Sequence, residues 1–423
     1  MQYQKILKMN FNQSKKEHWS FSSKIVFKFI FTYFVLFILL LFLSPFLEGP
    51  MRWFAENILN WGANFHMDST GSGDRSFDYV RLGLNVILAL IIGVIWSISK
   101  RKRGSYTSLL YWFHVSLRIF LFGAMVLYGM VKVFKGQFGG PSLELLLQPV
   151  GEMSPMGLAW TFMGHSMAYN IFLGFAEVLG GVLLLNRKTL TLGSMIIIGV
   201  MTNVAIMNFT YDIPVKLFSI HLVLMALILF MIDGRRFIKV FLKNEIAEKN
   251  IHFVPAINPT IRKFISGTKV FVTALLAIVI VVQCFVRFDM RDQLKTKSEL
   301  YGIWESRVFV KNSDTLAPLL TDDYQWRYLI VDLKKKAVIK KMNDTLDRYI
   351  LEINEDQKRL VLSRESDTLP HHFLYELVDP ETLQLKGLLD GDSLYIQFKH
   401  KPKSDFRLLN RKFHWVNEST YNY

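Results

Sequence analysis

Seven stretches of this sequence are long and apolar enough to demand a bilayer: Ile25–Leu43, Tyr79–Ile98, Leu109–Val133, Met167–Leu185, Leu192–Phe209, Val215–Ile232 and Thr268–Val286. A helix needs about 20 largely apolar residues to cross the hydrocarbon layer. In lipid the backbone must satisfy its own hydrogen bonds, so these runs predict seven transmembrane helices. The first run is too long for a signal-peptide core and has no small-x-small cleavage site. It is expected to stay as an anchor. A content of 51% hydrophobic residues, with 35 Phe, agrees.

The formal net charge is +15. Basic chains often bind nucleic acid, but here the cations sit beside the apolar runs. Lys15, Lys16 and Lys24 precede the first run, and Lys100-Arg101-Lys102-Arg103 follows the second. Arg187 and Lys188 follow the fourth; Arg235, Arg236, Lys239 and Lys243 follow the sixth. The intervening connections are poor in Lys and Arg. That alternation is a topology signal. It argues against a nucleic-acid partner and for the lipid bilayer of a bacterial inner membrane, with a cytoplasmic N-terminus and the last domain outside. The lone Cys284 allows no internal disulfide and no Cys-x-x-Cys pair.

The expected organisation follows. A cytoplasmic tail (1–24) leads to the first span with an outer interfacial segment (25–78). The second span carries a basic loop (79–111), and four consecutive spans occupy 112–236. A cytoplasmic connector (237–267) and a seventh span (268–286) precede a β-domain (298–423). In MRWFAENILNWGANF, Phe54, Ile58, Trp61 and Phe65 share one helical face, which suits a helix lying on the outer leaflet or one packed on the other spans. The connection after the third run has two short apolar pieces broken by Pro149 and Pro155. Each is too short to cross, so they read as re-entrant or capping half-helices.

From Ser298 the pattern changes to short segments such as RVFV, WRYLIVDL, RYILEI, RLVLS and LYIQF, separated by LTDD, NEDQ, DPET and DGDS. This predicts an antiparallel meander closing into a barrel or sandwich. His371-His372 lies in it without an evident third ligand, so no metal site is assigned.

Polar residues inside apolar runs are costly and are functional candidates by default. The fourth run carries Ser166, Asn170, Gly174, Glu177 and Gly181 on one helical face. The third carries His114, Arg118 and Lys132 on one face. Counting from the cytoplasmic ends puts Arg118 and Glu177 at similar depth on antiparallel neighbours. An Arg118–Glu177 ion pair is therefore expected, with His114 and Asn170 beside it. A second group, Lys132, His165, Asn203, Asn208, Asp212, Lys216 and His221, is expected towards the outer side as a polar pocket. Lys132, Asp212 and Lys216 also fit simple snorkelling to the interface, and His221 fits a packing residue.

With those residues in view, a family resemblance can be stated. Residues from about Trp112 to Arg236 resemble the DoxX-like membrane family. The resemblance rests on the Arg of LRIFLFGAMVLYGMVK with Gly129 and Lys132, the AEVLGG motif, the basic turn NRKT with Gly193 beyond it, and the Lys of PVKLF. It implies a four-helix membrane bundle in which Arg118, Lys132, Glu177 and Lys216 are the polar positions. The family takes its name from a subunit of a thiosulfate:quinone oxidoreductase. A quinone cofactor and a redox partner subunit are what the resemblance adds. No haem, flavin or metal motif is present, so any electrons would come from that partner. GIWE at the head of the β-domain resembles the start of a lipocalin-like barrel.

Three functions fit these observations: a membrane component of a quinone-linked or sulfur/redox-stress system, a non-enzymatic envelope protein whose bundle anchors a ligand- or partner-binding β-domain, and a small-solute transporter. The last lacks the internal repeat such proteins show.

Overall fold

A computed structural model describes residues 19–61, 73–99, 106–247, 258–294, 298–364, 369–411, 413–420 and 422. Lys15, Lys16, Phe65 and the Lys100–Arg103 run lie outside the described residues. The chain divides into two compact units. One comprises Met1–Val133 with Ala168–Gln283, the other Phe134–Met167 with Cys284–Tyr423.

The helical unit is built from α1 (Phe21–Asn57), α2 (Ser76–Ile98) and α3 (Thr107–Val133). In the second unit, α4 (Leu143–Leu146) and α5 (Pro155–His165) follow. The helical unit resumes with α6 (Met167–Leu183), α7 (Leu190–Thr210), α8 (Lys216–Met231) and α9 (Gly234–Phe237), which runs into a π turn at Ile238–Leu242. The last long helix is α10 (Pro259–Leu294). Each of the seven predicted runs falls on a helix. Five of these, α1, α2, α3, α7 and α10, are long and apolar enough to cross a membrane by themselves. The runs on α6 and α8 reach that length only with a neighbour across a break: α5 with α6, and α8 with Gly234–Leu242 at a 70° bend. The first break is at Ser166, where the backbone turns extended (φ −103°, ψ 117°).

The outward-looking helix expected from Met51 onward is not a separate element. It continues α1 past Pro45 and Pro50. Met51 and Ala55 pack with Phe77 and Val80 of α2, and Phe54 joins them from the edge. The face that α2 covers is Met51/Ala55, and on the expected face Ile58 and Trp61 remain 57% and 41% exposed. The main helical core gathers Phe27, Phe34 and Phe37 of α1, Phe113, Leu117, Leu121 and Met125 of α3, Ile197 and Met201 of α7, and Leu222, Met225 and Leu229 of α8.

Among its described residues the second unit holds nine strands: β1 (Gly302–Lys311), β2 (Asp314–Thr315), β3 (Trp326–Leu333), β4 (Lys336–Lys341), β5 (Leu346–Asn354), β6 (Arg359–Ser363), β7 (His371–Asp379), β8 (Thr382–Leu389) and β9 (Asp392–Lys401). Apart from the short β2, which hangs on the end of β1, each pairs antiparallel with the next in an up-and-down order, and β9 returns to β1. The closing register runs from Ile303↔Lys401 to Lys311↔Leu394, with a bulge between Ser306 and Val308. The result is a closed eight-stranded barrel. Its period-2 alternation puts Trp304, Phe309, Trp326, Leu351, Phe373, Leu385 and Phe398 inside, all at most 2% exposed. The interior is filled by side chains, as small barrels require. Trp304 of GIWE is one of these, and its indole Nε1 donates to the Leu300 carbonyl at 2.9 Å. The DGDS turn is a two-residue hairpin loop. Asp390 and Gly391 both have positive φ (53° and 91°) between the paired Leu389 and Asp392, the geometry that favours Asp-Gly.

The first of the two half-helices is not re-entrant. In α4, Leu143 packs on Ile303, Tyr328 and Ile330 of the barrel's outside wall, with Leu146 and Leu147 beside it. Leu143 N donates to Asp332 Oδ2 at 3.1 Å and Lys340 Nζ to the Leu147 carbonyl at 3.1 Å, while Arg348 pairs with Glu144. The wall strands supply an apolar patch, and the short LELLL run covers it.

Candidate functional site

The carboxylate in the GFAEVLGG stretch is buried, and its partner is a lysine. Glu177 on α6 is 2% exposed and Lys132 on α3 is 5% exposed. Lys132 Nζ donates to Oε1 and Oε2 of Glu177, both at 2.9 Å. Its ammonium also lies 5.7 Å from the centre of the Tyr128 ring one turn back.

The expected Arg118–Glu177 pair does not form. Arg118 donates from Nε to the Leu184 carbonyl (2.6 Å) and from Nη2 to the Leu185 carbonyl (2.5 Å). It clamps the C-terminal end of α6, where unpaired carbonyls concentrate partial negative charge. Counting from predicted helix ends misplaced the register by about four turns. What sets the register is glycine. A Cβ on Gly129 would stand 2.5 Å from the Gly174 carbonyl oxygen, and one on Gly181 would stand 2.9 Å from Met125 Cβ. These contacts bring α3 and α6 together backbone to backbone. They level Lys132 with Glu177 and Arg118 with the end of α6. Lys132 and Arg118 are fourteen residues, about 21 Å, apart along α3. His114, half-buried, is one turn from Arg118 with Phe113 at 6.1 Å, so it stays at that end. Asn170 is fully buried on the same face of α6 as Glu177, two turns before it.

The second expected group is dispersed. Lys132 belongs to the pair just described and does not snorkel. Asn208 Nδ2 donates to Ser219 Oγ at 3.1 Å and to the Val215 carbonyl at 3.3 Å, tying α7 to α8. Asp212 and Lys216 form an i,i+4 surface pair at 2.7 Å across the α7–α8 turn. Asn203 is exposed on α7, and His165 is exposed at the end of α5 in the other unit.

His221 belongs to a cluster that the sequence reading did not assemble. Its Nδ1 lies 2.6 Å from the Leu217 carbonyl, an acceptor only, so the proton is on Nδ1. Nε2 is then the acceptor for the Tyr33 hydroxyl of α1 at 2.7 Å. Phe37 stacks on the imidazole, with ring centres 4.0 Å apart and planes 3° apart. From α2, Arg81 bonds Asp78 (2.9 Å) and Ser44 Oγ of α1 (2.7 Å). Asn85 is 1% exposed, and neither atom of its amide has a hydrogen-bond partner. Asn85, Arg81, Asp78, Phe37 and His221 line a cavity of about 20 Å³, room for a water molecule. Asp74 closes the nearby turn by accepting from the Lys216 and Leu217 amides at 2.7 and 3.0 Å, capping α8. The rule that selected Glu177 also selects Arg81 and Asn85, i and i+4 in the second apolar run. Tyr33 left no such signal.

In the barrel unit an open groove of about 690 Å³ runs beside α4. Glu144, Asp332, Lys336, Arg348, Tyr349 and Arg364 contribute its polar lining.

The sequence matches no protein-family model and no solved structure. Over 136 residues it is 35% identical to an uncharacterized protein of Bacillus subtilis (strain 168), YwoB, a block that makes up 32% of this chain and 86% of the relative.

Proposed function

The chain belongs to the family of that Bacillus subtilis protein, and from this premise we propose that it is an integral protein of a bacterial inner membrane whose DoxX-like bundle anchors and orients a partner-binding β-barrel. In this reading each broken helix pair is one crossing, giving seven. The N-terminus is cytoplasmic and the barrel stands outside, as the alternation of basic connections supports.

The observation that carries the proposal is that both interiors are occupied. Lys132 and Glu177 satisfy each other between abutting helices, and the barrel is filled from Trp304 to Phe398. An apolar ligand has no room inside such a barrel. The groove beside α4 offers mixed charges at its surface, which suits a polar segment of a partner protein. A photo-reactive side chain at Ser363 of the full-length protein should cross-link that partner in native membranes. Arg348→Glu with Arg364→Glu should remove the adduct while the protein still inserts. If no adduct forms, and the charge reversals leave the cellular phenotype intact, the reading is discarded.

One observation favours a second reading, a membrane component of a redox system. His221, which is bonded to Tyr33, and the buried Asn85 line the same cavity. Its size suits a water and a proton, not a quinone ring, so a quinone and its electrons would belong to a partner subunit. A phenotype that follows His221→Phe and Asn85→Leu, and ignores the groove, would promote this reading over the first.

A further inference from the structure

At the Arg187 end of the helical unit, Arg187 and Lys269 meet with no carboxylate partner among the described residues. Tyr111 and Trp112 stand in the first turns of α3, Arg187 in the turn between α6 and α7, and Lys269 in the third turn of α10. Arg187 Nη2 donates to Tyr111 Oη at 2.8 Å, and Lys269 Nζ donates to the same oxygen at 3.2 Å. Lys269 also lies 5.1 Å from the Tyr111 ring centre and 4.8 Å from that of Trp112, and Arg187 lies 5.2 Å from the Tyr111 ring. Two turns along α3, Arg118 is bonded, among the described residues, only to main-chain carbonyls. Elsewhere in the unit Arg75, Arg81, Lys132, Lys216 and Arg236 each have an Asp or Glu, while the buried Lys28 donates to the Trp96 carbonyl and the Ser97 hydroxyl. Here the acceptors are neutral: a phenol and two carbonyls.

We propose that Arg187, Lys269 and Tyr111 bind the phosphate of an anionic phospholipid headgroup. The donor inventory fits. Arg187 has used one of five N–H groups on Tyr111 and Lys269 one of three. Tyr111 Oη accepts twice, which leaves its own proton to donate. A phosphate diester supplies the missing negative charge and takes two or three of these donors. The surroundings select a lipid over a soluble anion. Val182, Leu185, Val270 and Phe271 next to the cluster are 46%, 39%, 66% and 65% exposed, an apolar surface suited to acyl chains. Tyr and Trp beside the cations are the side chains that settle at headgroup depth. The charge bias has the same sense: residues 1–297 hold 31 of the 50 Lys and Arg but only 15 of the 35 Asp and Glu. Basic pockets between helices near a membrane surface are known takers of acidic headgroups.

The test uses the purified full-length protein and native mass spectrometry with two lipids of matched chains, phosphatidylglycerol and phosphatidylcholine. The wild type should retain phosphatidylglycerol in preference. Arg187→Gln and Lys269→Gln should each weaken that preference by about fivefold, and the double variant should approach parity. Lys216→Gln, which removes an equal charge from the Asp212 pair, should leave the preference unchanged. Equal retention of both lipids by the wild type overturns the proposal without reference to any variant. So does a preference that survives in the double variant. Displacement of the lipid by millimolar inorganic phosphate would reassign the site to a soluble anion and overturn it as well.

Discussion

The helical unit and the barrel use glycine and charge for opposite purposes. In the barrel, register comes from strand alternation and tight turns, and Gly391 is needed only for its backbone angle at a hairpin. In the bundle, register comes from Gly129 and Gly174, which are needed because they lack a side chain. The acid–base pair beside them falls where the glycines bring it. An apolar face can slide along another apolar face in lipid with little penalty, whereas a slipped strand turns every side chain to the wrong side. The bundle therefore needs a steric notch and a matched charge to define one register.

The largest effects should come from splitting that pair. Glu177→Leu leaves Lys132 buried without its acid and should cost about 3–5 kcal/mol of bundle stability. The double variant Lys132→Met/Glu177→Leu should recover most of it, read as resistance to unfolding in mixed detergent. If the double variant is no better than the single, the pair does more than set register. Gly174→Ala should cost about 1–3 kcal/mol by forcing α3 and α6 apart, and leave barrel melting unchanged. Gly391→Val should do the reverse, costing the barrel about 1–2 kcal/mol and sparing the bundle. A variant that lowers both transitions together would break the comparison.

The smallest effect is acid sensitivity of the barrel. Burial opposes ionisation of Glu299, but hydrogen bonds from Lys358 (2.7 Å) and from the Tyr375 hydroxyl outweigh it and hold the carboxyl below its usual range. A lowered carboxyl contributes stability above its unfolded titration range, and that contribution is lost as pH falls through the folded value. Glu299→Gln should flatten the acid side of the barrel's stability profile, by at most about 1 kcal/mol because the group is partly exposed.

Much of this architecture was legible in the sequence. The apolar runs found the helices, because spanning length is a property of one segment. WRYLIVDL and RLVLS read as strands and are β3 and β6, since their alternation is local too. DGDS announced its own turn. Partners across helices were not legible. Arg118 and Lys132 lie on one helix face, and either could have faced Glu177. Choosing between them required the contact of Gly129 with Gly174, which no single segment contains. The shared face of Gly174, Glu177 and Gly181 on α6 was legible, but its depth against α3 was not. His221 was grouped with the outer polar residues because Tyr33, and the Arg81 and Asn85 that share its cavity, come from helices far away in sequence. Similarly, the LELLL run could be read as re-entrant or capping until the barrel wall it covers was in view.

The closing of β9 on β1 has a consequence in time. Ile303 meets Lys401 across almost the full length of the domain, so the barrel cannot shut until its final strand exists. Every other strand can zip to its neighbour as it appears, but β1 must hold an open edge throughout. Closure over so long a loop is slow, on the order of milliseconds to seconds for non-local β topologies. During that interval the unpaired edge of β1 is the part of the domain most exposed to pairing with another chain. The folding barrel is then most in need of protection at the strand that carries Trp304.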